Sequence, residues 1–111
     1  MADAVDACRL VSQFLEGKER ADLDRDLLVQ SAVIRQIEVI GEACSRVGTC
    51  TRDRHPEIPW RDIVGMRHRL IHGYAAIDLD LVWKTAREEV PALEAMLVAL
   101  LGRLGGTTCR E

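Results

Sequence analysis

Apolar residues recur along most of this chain at spacings of three and four, the period that gathers one stripe on a helix. The first such run predicts a helix from about Asp3 to Glu16, with Val5, Leu10 and Phe14 turned inward and Gly17 as its stop. The charged segment from Lys18 to Arg25 reads as a connection. A long helix is expected from about Asp24 to Val47. Val33, Ile37, Ile40 and Cys44 form its main stripe, and Ile34, Val39, Ala43 and Val47 carry apolar surface beyond one face. That surplus predicts a helix central to its own bundle and shared with a second copy in a homodimer.

Gly48 ends this helix, and Thr49 to Pro59 predicts a loop. Pro59 suits the first turn of a third helix, because the N–H it lacks would have no helical partner there. That helix carries PWRDIVGMRHRLIHGY and is expected to stop at Gly73. Asp78 or Asp80 can cap a fourth helix running through Glu89. Val90-Pro91 should break or bend it, after which Leu93, Leu97, Leu100 and Leu104 continue the stripe to a stop at Gly105-Gly106. The pattern predicts one domain over residues 1–111, an all-α, four- to five-helix up-and-down bundle with a frayed tail from about 106 to 111.

Composition narrows this further. Aromatic residues are only 4% and β-branched residues never alternate, which argues against a sandwich or barrel. The net charge is −3, so any nucleic-acid contact should be local rather than spread over a basic face. The four cysteines, Cys8, Cys44, Cys50 and Cys109, show no C-x-x-C pair, which predicts unpaired thiols in a reducing compartment and no metal site. MADAVDACRL lacks a secretory signal's basic start and apolar run. The longest apolar stretch, Ala95 to Leu101, falls far short of the roughly 20 residues that span a bilayer. A cytoplasmic protein without membrane contact is expected.

The third helix concentrates the candidate chemistry. Ile63, Met66 and Leu70 share a core-facing stripe, while Arg61, Gly65, His68 and His72 line up on the opposite face with Arg69 beside them. Arg67 projects between the core stripe and a second strip of Trp60, Val64 and Ile71. An arginine there either snorkels to water or is held by a carboxylate, for which Glu38 and Glu42 are the candidates. Arg67 and His72 are five residues apart, about 140° around an ideal helix. Bringing them together would take arginine's reach, distortion near Gly73, or a second copy across a two-fold axis. The pair suits RNA cleavage with no metal and no cofactor. An imidazole can exchange a proton with a ribose 2′-OH or a leaving 5′-oxygen near neutral pH, and a guanidinium matches phosphodiester oxygens. DNA, lacking the 2′-OH, would be spared. On these residues alone, a solvated basic helix with structural histidines stands as the alternative. Trp60 and Trp83 are expected in the core or at an interface rather than stacked on bases.

At RHRLIHGY the chain resembles the HepT-like proteins of the HEPN superfamily, whose R-x-x-x-x-H-x-Y motif is matched by Arg67, His72 and Tyr74. AVIRQIEVIGEA (Ala32 to Ala43), HPEIPWRDIVGMR (His55 to Arg67), DLDLVW (Asp78 to Trp83) and VPALE (Val90 to Glu94) extend the likeness over most of residues 24–95. The resemblance implies a HEPN-like helical homodimer whose motif helices meet in a cleft. It implies a toxin of a prokaryotic toxin–antitoxin pair that cleaves RNA, tRNA or mRNA, without a metal. The implied partner is an MNT-type nucleotidyltransferase antitoxin that transfers AMP onto Tyr74. Arg67 and His72 would be catalytic, with His68 and Glu42 supporting them. Many relatives carry asparagine directly after the motif arginine, where this chain has His68. A second function class fits the same likeness, namely a non-catalytic dimer that docks a nucleotidyltransferase and binds nucleotide or RNA.

Overall fold

The computed structural model describes residues 2–72 and 76–104, the side chains at 67, 71, 72, 76 and 104 excepted. Helix α1 (Ala2–Phe14) buries Ala4, Val5, Ala7, Cys8 and Val11, and Leu15 just beyond its end. Leu10 and Phe14, expected inside, are half-buried instead, and the buried face of α1 is the one that carries Ala4, Ala7, Cys8 and Val11. The chain turns at Gly17, whose φ of 72° is the left-handed conformation that glycine adopts without penalty. Arg87 caps this end from across the molecule, donating to the carbonyls of Leu15 and Lys18 at 3.0 and 2.6 Å. Its guanidinium also lies 4.8 Å from the centre of the half-buried Trp83 ring.

The expected connection at Lys18–Arg25 is in fact largely helical, as α2 (Arg20–Arg25). Glu19 and Asp22 form a reciprocal capping box there, with Asp22 accepting from the Glu19 N–H at 2.8 Å. Asp26 then separates α2 from α3 (Leu27–Ser45), so the long helix starts three residues later than the pattern predicts. The extended backbone of Asp26 lets its carboxylate accept from the N–H groups of Leu28 and Val29 at 3.1 and 3.2 Å. Val33, Ile37, Ile40 and Cys44 are all buried along α3, while Ile34, Val39, Ala43 and Val47 are half-buried at the margin of the core.

Where a loop was expected after Gly48, residues Thr49–Arg54 form helix α4. The reason lies in Arg52. It reaches back to the end of α3 and donates to the carbonyls of Val47, Cys44 and Ser45 at 2.8, 3.0 and 3.2 Å, groups that a helix terminus leaves without partners. The same guanidinium stands 6.0 Å over the ring of buried Trp60, whose indole N–H donates to the His55 carbonyl at 3.1 Å. Arg52→Ala is expected to cost about 1–3 kcal/mol of stability, because partly buried carbonyls lose a charged donor. Urea denaturation measures this, and an unchanged midpoint would mean that α4 is held by other contacts.

Helix α5 (Trp60–Leu70) buries Ile63, Met66 and Leu70, the stripe predicted for it. It stops three residues before Gly73. Ile71–His72 (β1) instead pairs antiparallel with Ala76–Ile77 (β2), with Ile71 opposite Ile77 and His72 opposite Ala76. The Asp78 N–H donates to the Leu70 carbonyl at 3.0 Å, tying the end of this ribbon to the last turn of α5. Asp78 caps α6 (Leu79–Lys84) by accepting from the Leu81 N–H at 3.1 Å.

A π-helical turn, Thr85–Glu89, joins α6 to α7 (Val90–Leu104). The Val90 N–H reaches Thr85, five residues back. Pro91 follows and has no N–H for the carbonyl of Arg87, so the expected bend takes the form of a local change of helical register. Leu93, Leu97 and Leu100 are buried along α7. Helix α3 packs against both α1 and α5, and α7 packs against α1. No helix among the described residues is long and apolar enough to cross a membrane.

Cys8 and Cys44 are free and buried on the facing sides of α1 and α3, whereas Cys50 is disulfide-bonded, contrary to the expectation of unpaired thiols throughout. Spacing alone carries no signal for such a pairing. Burial pushes the Cys8 thiol up to about 12, helped by the charge of Glu94, and pushes Cys44 up to about 11. Both protons are therefore held more tightly in the folded chain than in the unfolded one. Their contribution to stability is complete below about pH 9 and is lost as pH rises toward 11–12. The melting temperature should fall across this alkaline range, and less steeply in a Cys8→Ala/Cys44→Ala variant. Equal slopes for the two proteins would contradict the assignment.

Candidate functional site

The site begins with a missing side chain. Gly41 sits where α3 crosses α5, and a Cβ there would lie 3.3 Å from the Ile63 carbonyl oxygen and 3.6 Å from that of Val64. The two backbones are thus in near contact. Beside this crossing runs a groove of about 320 Å³, lined by Glu38, Gly41, Glu42, Ser45, Val64 and His68. One wall is α5, with His68 exposed one helical turn beyond Val64. The other is α3, with two carboxylates and a hydroxyl.

Of the residues singled out from sequence, the structure brings His68, Glu38 and Glu42 to the same groove. Glu42, offered as a partner for Arg67, takes a 2.7 Å ion pair from Arg46 one turn along α3. Glu38 stands 3.7 Å from Arg35. Arg67 lies on α5 immediately before His68, and its side chain is outside the described residues. His72 lies on β1, so the predicted line of Arg61, Gly65, His68 and His72 on one helical face ends at His68. Tyr74 falls outside the described residues. Arg69, expected to flank His68, turns to the carbonyl of Asp62 at 3.0 Å and toward Glu89 at 3.9 Å, beside a different, apolar pocket against α7.

Sequence reasoning missed the roles of Gly41, Ser45 and Arg46. The Ser45 hydroxyl donates to the Glu42 carbonyl at 2.6 Å, which fixes its oxygen at the rim. Gly41 had a signal available, since a glycine inside a strongly apolar helix usually marks a close approach. Among the described residues, no three His, Cys, Asp or Glu side chains gather as a metal site would require.

The family described as Ribonuclease HepT-like matches the chain over residues 4–100, which spans α1 through most of α7 and the whole R-x-x-x-x-H-x-Y segment. The chain belongs to this family. A protein of Thermococcus cleftensis named "Probable ribonuclease HepT" is 38% identical to this HepT-like chain over 94 residues, 85% of the chain and 86% of the relative. "Putative RNase TTE0752" of Caldanaerobacter subterraneus subsp. tengcongensis is 32% identical over 94 residues, covering 85% and 84% of the two proteins. "Putative RNase MJ1380" of Methanocaldococcus jannaschii is 34% identical over 92 residues, covering 83% and 84%. No solved structure matches the HepT-like chain.

Proposed function

We propose that this HepT-like chain is the toxin of a prokaryotic toxin–antitoxin pair and acts as a metal-independent endoribonuclease. The observation that carries this is the family match over residues 4–100, within which Arg67, His72 and Tyr74 fall at the motif spacing. In this reading His72 takes the proton from a ribose 2′-OH, or gives one to the leaving 5′-oxygen. The 2′-oxygen attacks phosphorus, the bond to the 5′-oxygen breaks, and a 2′,3′-cyclic phosphate remains. Arg67 neutralises the charge that builds on the phosphoryl oxygens. His68 and Glu42 support the site from the groove between α3 and α5. The end of α5 at Leu70 favours this assignment, because β1 frees His72 from the rotation of about 140° that a continuous helix would impose.

The active form is a homodimer, with the motif segments of two chains meeting at the substrate. Exposed Leu27 and Leu28, 73% and 79% accessible in the single chain, accord with burial by another copy. An MNT-type nucleotidyltransferase serves as antitoxin and transfers AMP onto Tyr74. The added phosphodiester then competes for Arg67 with the phosphate of RNA.

The test is incubation of purified protein with tRNA and total RNA in EDTA. Cleavage that leaves 2′,3′-cyclic phosphate ends supports the proposal. If protein shown by mass spectrometry to lack AMP leaves RNA intact, the non-catalytic dimer that docks a nucleotidyltransferase becomes the better reading.

A further inference from the structure

His72 stands on a ribbon too short to hold itself. Ile71–His72 pairs with Ala76–Ile77, two residues to each strand. An isolated two-stranded ribbon is marginally stable at best in water. A proton-transfer group has to be held closely, since a misplacement of about 1 Å can cost about 10²-fold in rate. The ribbon therefore depends on what fixes it from outside. Asp78, where the chain leaves the second strand, makes the bonds that do this. Its N–H donates to the Leu70 carbonyl at 3.0 Å, which continues the register of the pair by one step into the last turn of α5. Its carboxylate accepts from the Leu81 N–H at 3.1 Å, and its carbonyl accepts from the Val82 N–H at 3.0 Å. Between these bonds its backbone is extended, with φ −81° and ψ 95°, as suits a residue that caps a helix. One partly buried residue thus joins the end of α5, the ribbon and α6. Behind the cap, α6, the π-helical turn and α7 follow one another without a gap from Leu79 to Leu104. Val82, Ala86 and Val90 bury this rod in the core, so the cap ties the ribbon to a firmly packed element.

We propose that Asp78 is a positioning residue for RNA cleavage. By capping α6 it fixes the exit of the ribbon and, with it, the strand that carries His72. This rests on the ribonuclease reading, in which His72 transfers the proton. Without the carboxylate, the Leu81 N–H loses its acceptor and the backbone of residue 78 is freed to rotate. The bond to the Leu70 carbonyl then gives way more often to water, and the ribbon frays from that end. The imidazole keeps its chemistry but loses its place. Arg20 holds α6 a second time, with Nε and Nη2 on the Asp80 carboxylate at 3.0 and 2.7 Å. That carboxylate is largely exposed, and so open an ion pair contributes little to the hold.

The experiment compares wild type, Asp78→Ala and Asp78→Asn in RNA cleavage per folded molecule and in amide hydrogen exchange. Asp78→Ala is expected to lower kcat about tenfold and to leave KM within about threefold, since the fault lies in placing the proton and not in holding RNA. Its pH–rate profile should keep the wild-type shape, because the imidazole is still present. Asparagine caps a helix as well as aspartate does, so Asp78→Asn should stay within about threefold of wild type in kcat. Exchange at Ile71, His72 and Ile77 should quicken in Asp78→Ala alone, with the amides of α5 from Ile63 to Met66 unchanged. Should Asp78→Ala fail to fold, Asp78→Gly takes its place, as it lacks the carboxylate but suits the backbone of a cap. An unchanged kcat in the variant without the carboxylate overturns the inference and leaves the nuclease reading standing. So does an Asp78→Asn protein as slow as Asp78→Ala, which would show that charge acts and the cap does not. If wild type cleaves no RNA, the nuclease reading fails and hydrogen exchange decides whether Asp78 holds the strand. Quickened exchange confined to the ribbon supports that hold, and exchange unchanged there overturns it.

Discussion

Alanine in place of His72 is expected to lower RNA cleavage by about 10²–10⁴-fold, the contribution typical of a positioned acid or base. Arg67→Ala should cost a comparable about 10²–10³-fold, because a charge-stabilising donor is lost where the phosphoryl oxygens gain charge. Neither change should disturb folding. The core of α5 is made by Ile63, Met66 and Leu70, and His72 lies beyond the helix on a two-residue strand whose pairing uses backbone groups only. Circular dichroism and the oligomeric state should therefore match wild type, while growth inhibition on expression disappears. The two variants should also differ in kind. His72→Ala removes proton transfer and should flatten the pH–rate profile, whereas Arg67→Ala should raise KM as well as lower kcat. A His72→Ala protein that remained fully toxic and cleaved RNA at the wild-type rate would sink the assigned role.

The apolar stripes of α3, α5 and α7 were legible because each is long and keeps the helical period over several turns. Val33, Ile37, Ile40 and Cys44 repeat without interruption, as do Leu93, Leu97 and Leu100, and all seven are buried. What escaped were short elements fixed by polar contacts across the sequence. Helix α2 depends on a Glu19–Asp22 capping box and on Arg20, which bonds Asp80 sixty residues away at 2.7 Å. Helix α4 depends on Arg52 turning back over the end of α3. Neither has enough apolar residues to show a period. The end of α5 was misjudged for a related reason. Gly73 offered a plausible stop, but pairing of Ile71 with Ile77 and of His72 with Ala76 gives those residues backbone partners that a helix reading cannot anticipate. Within the candidate site, residue types were readable and their company was not. Glu42 could be named as a carboxylate near the motif, yet whether it faced Arg67 or Arg46 depended on an i, i+4 contact that competes at close range.

Gly41→Val is expected to be the most damaging single change away from the motif. Alanine already tests the crossing. Its Cβ would meet the Ile63 carbonyl oxygen at 3.3 Å, so α5 must yield by a few tenths of an ångström. Against that stands a gain of about 1 kcal/mol in helix propensity over glycine, and the two effects should nearly cancel. Valine adds two methyl groups where the neighbouring atoms are main chain and cannot rotate aside. Overpacking of this kind costs about 1–3 kcal/mol, and here relief requires the helices to separate. Separation moves His68 away from Glu38 and Glu42, since the same crossing sets the width of their groove. The expected result is a lower urea midpoint together with loss of RNA cleavage in the surviving folded protein, with Gly41→Ala close to wild type in both. Wild-type stability in Gly41→Val would show that α3 and α5 do not pack through Gly41. A destabilised variant with full activity per folded molecule would show instead that the spacing of the groove walls does not govern the chemistry.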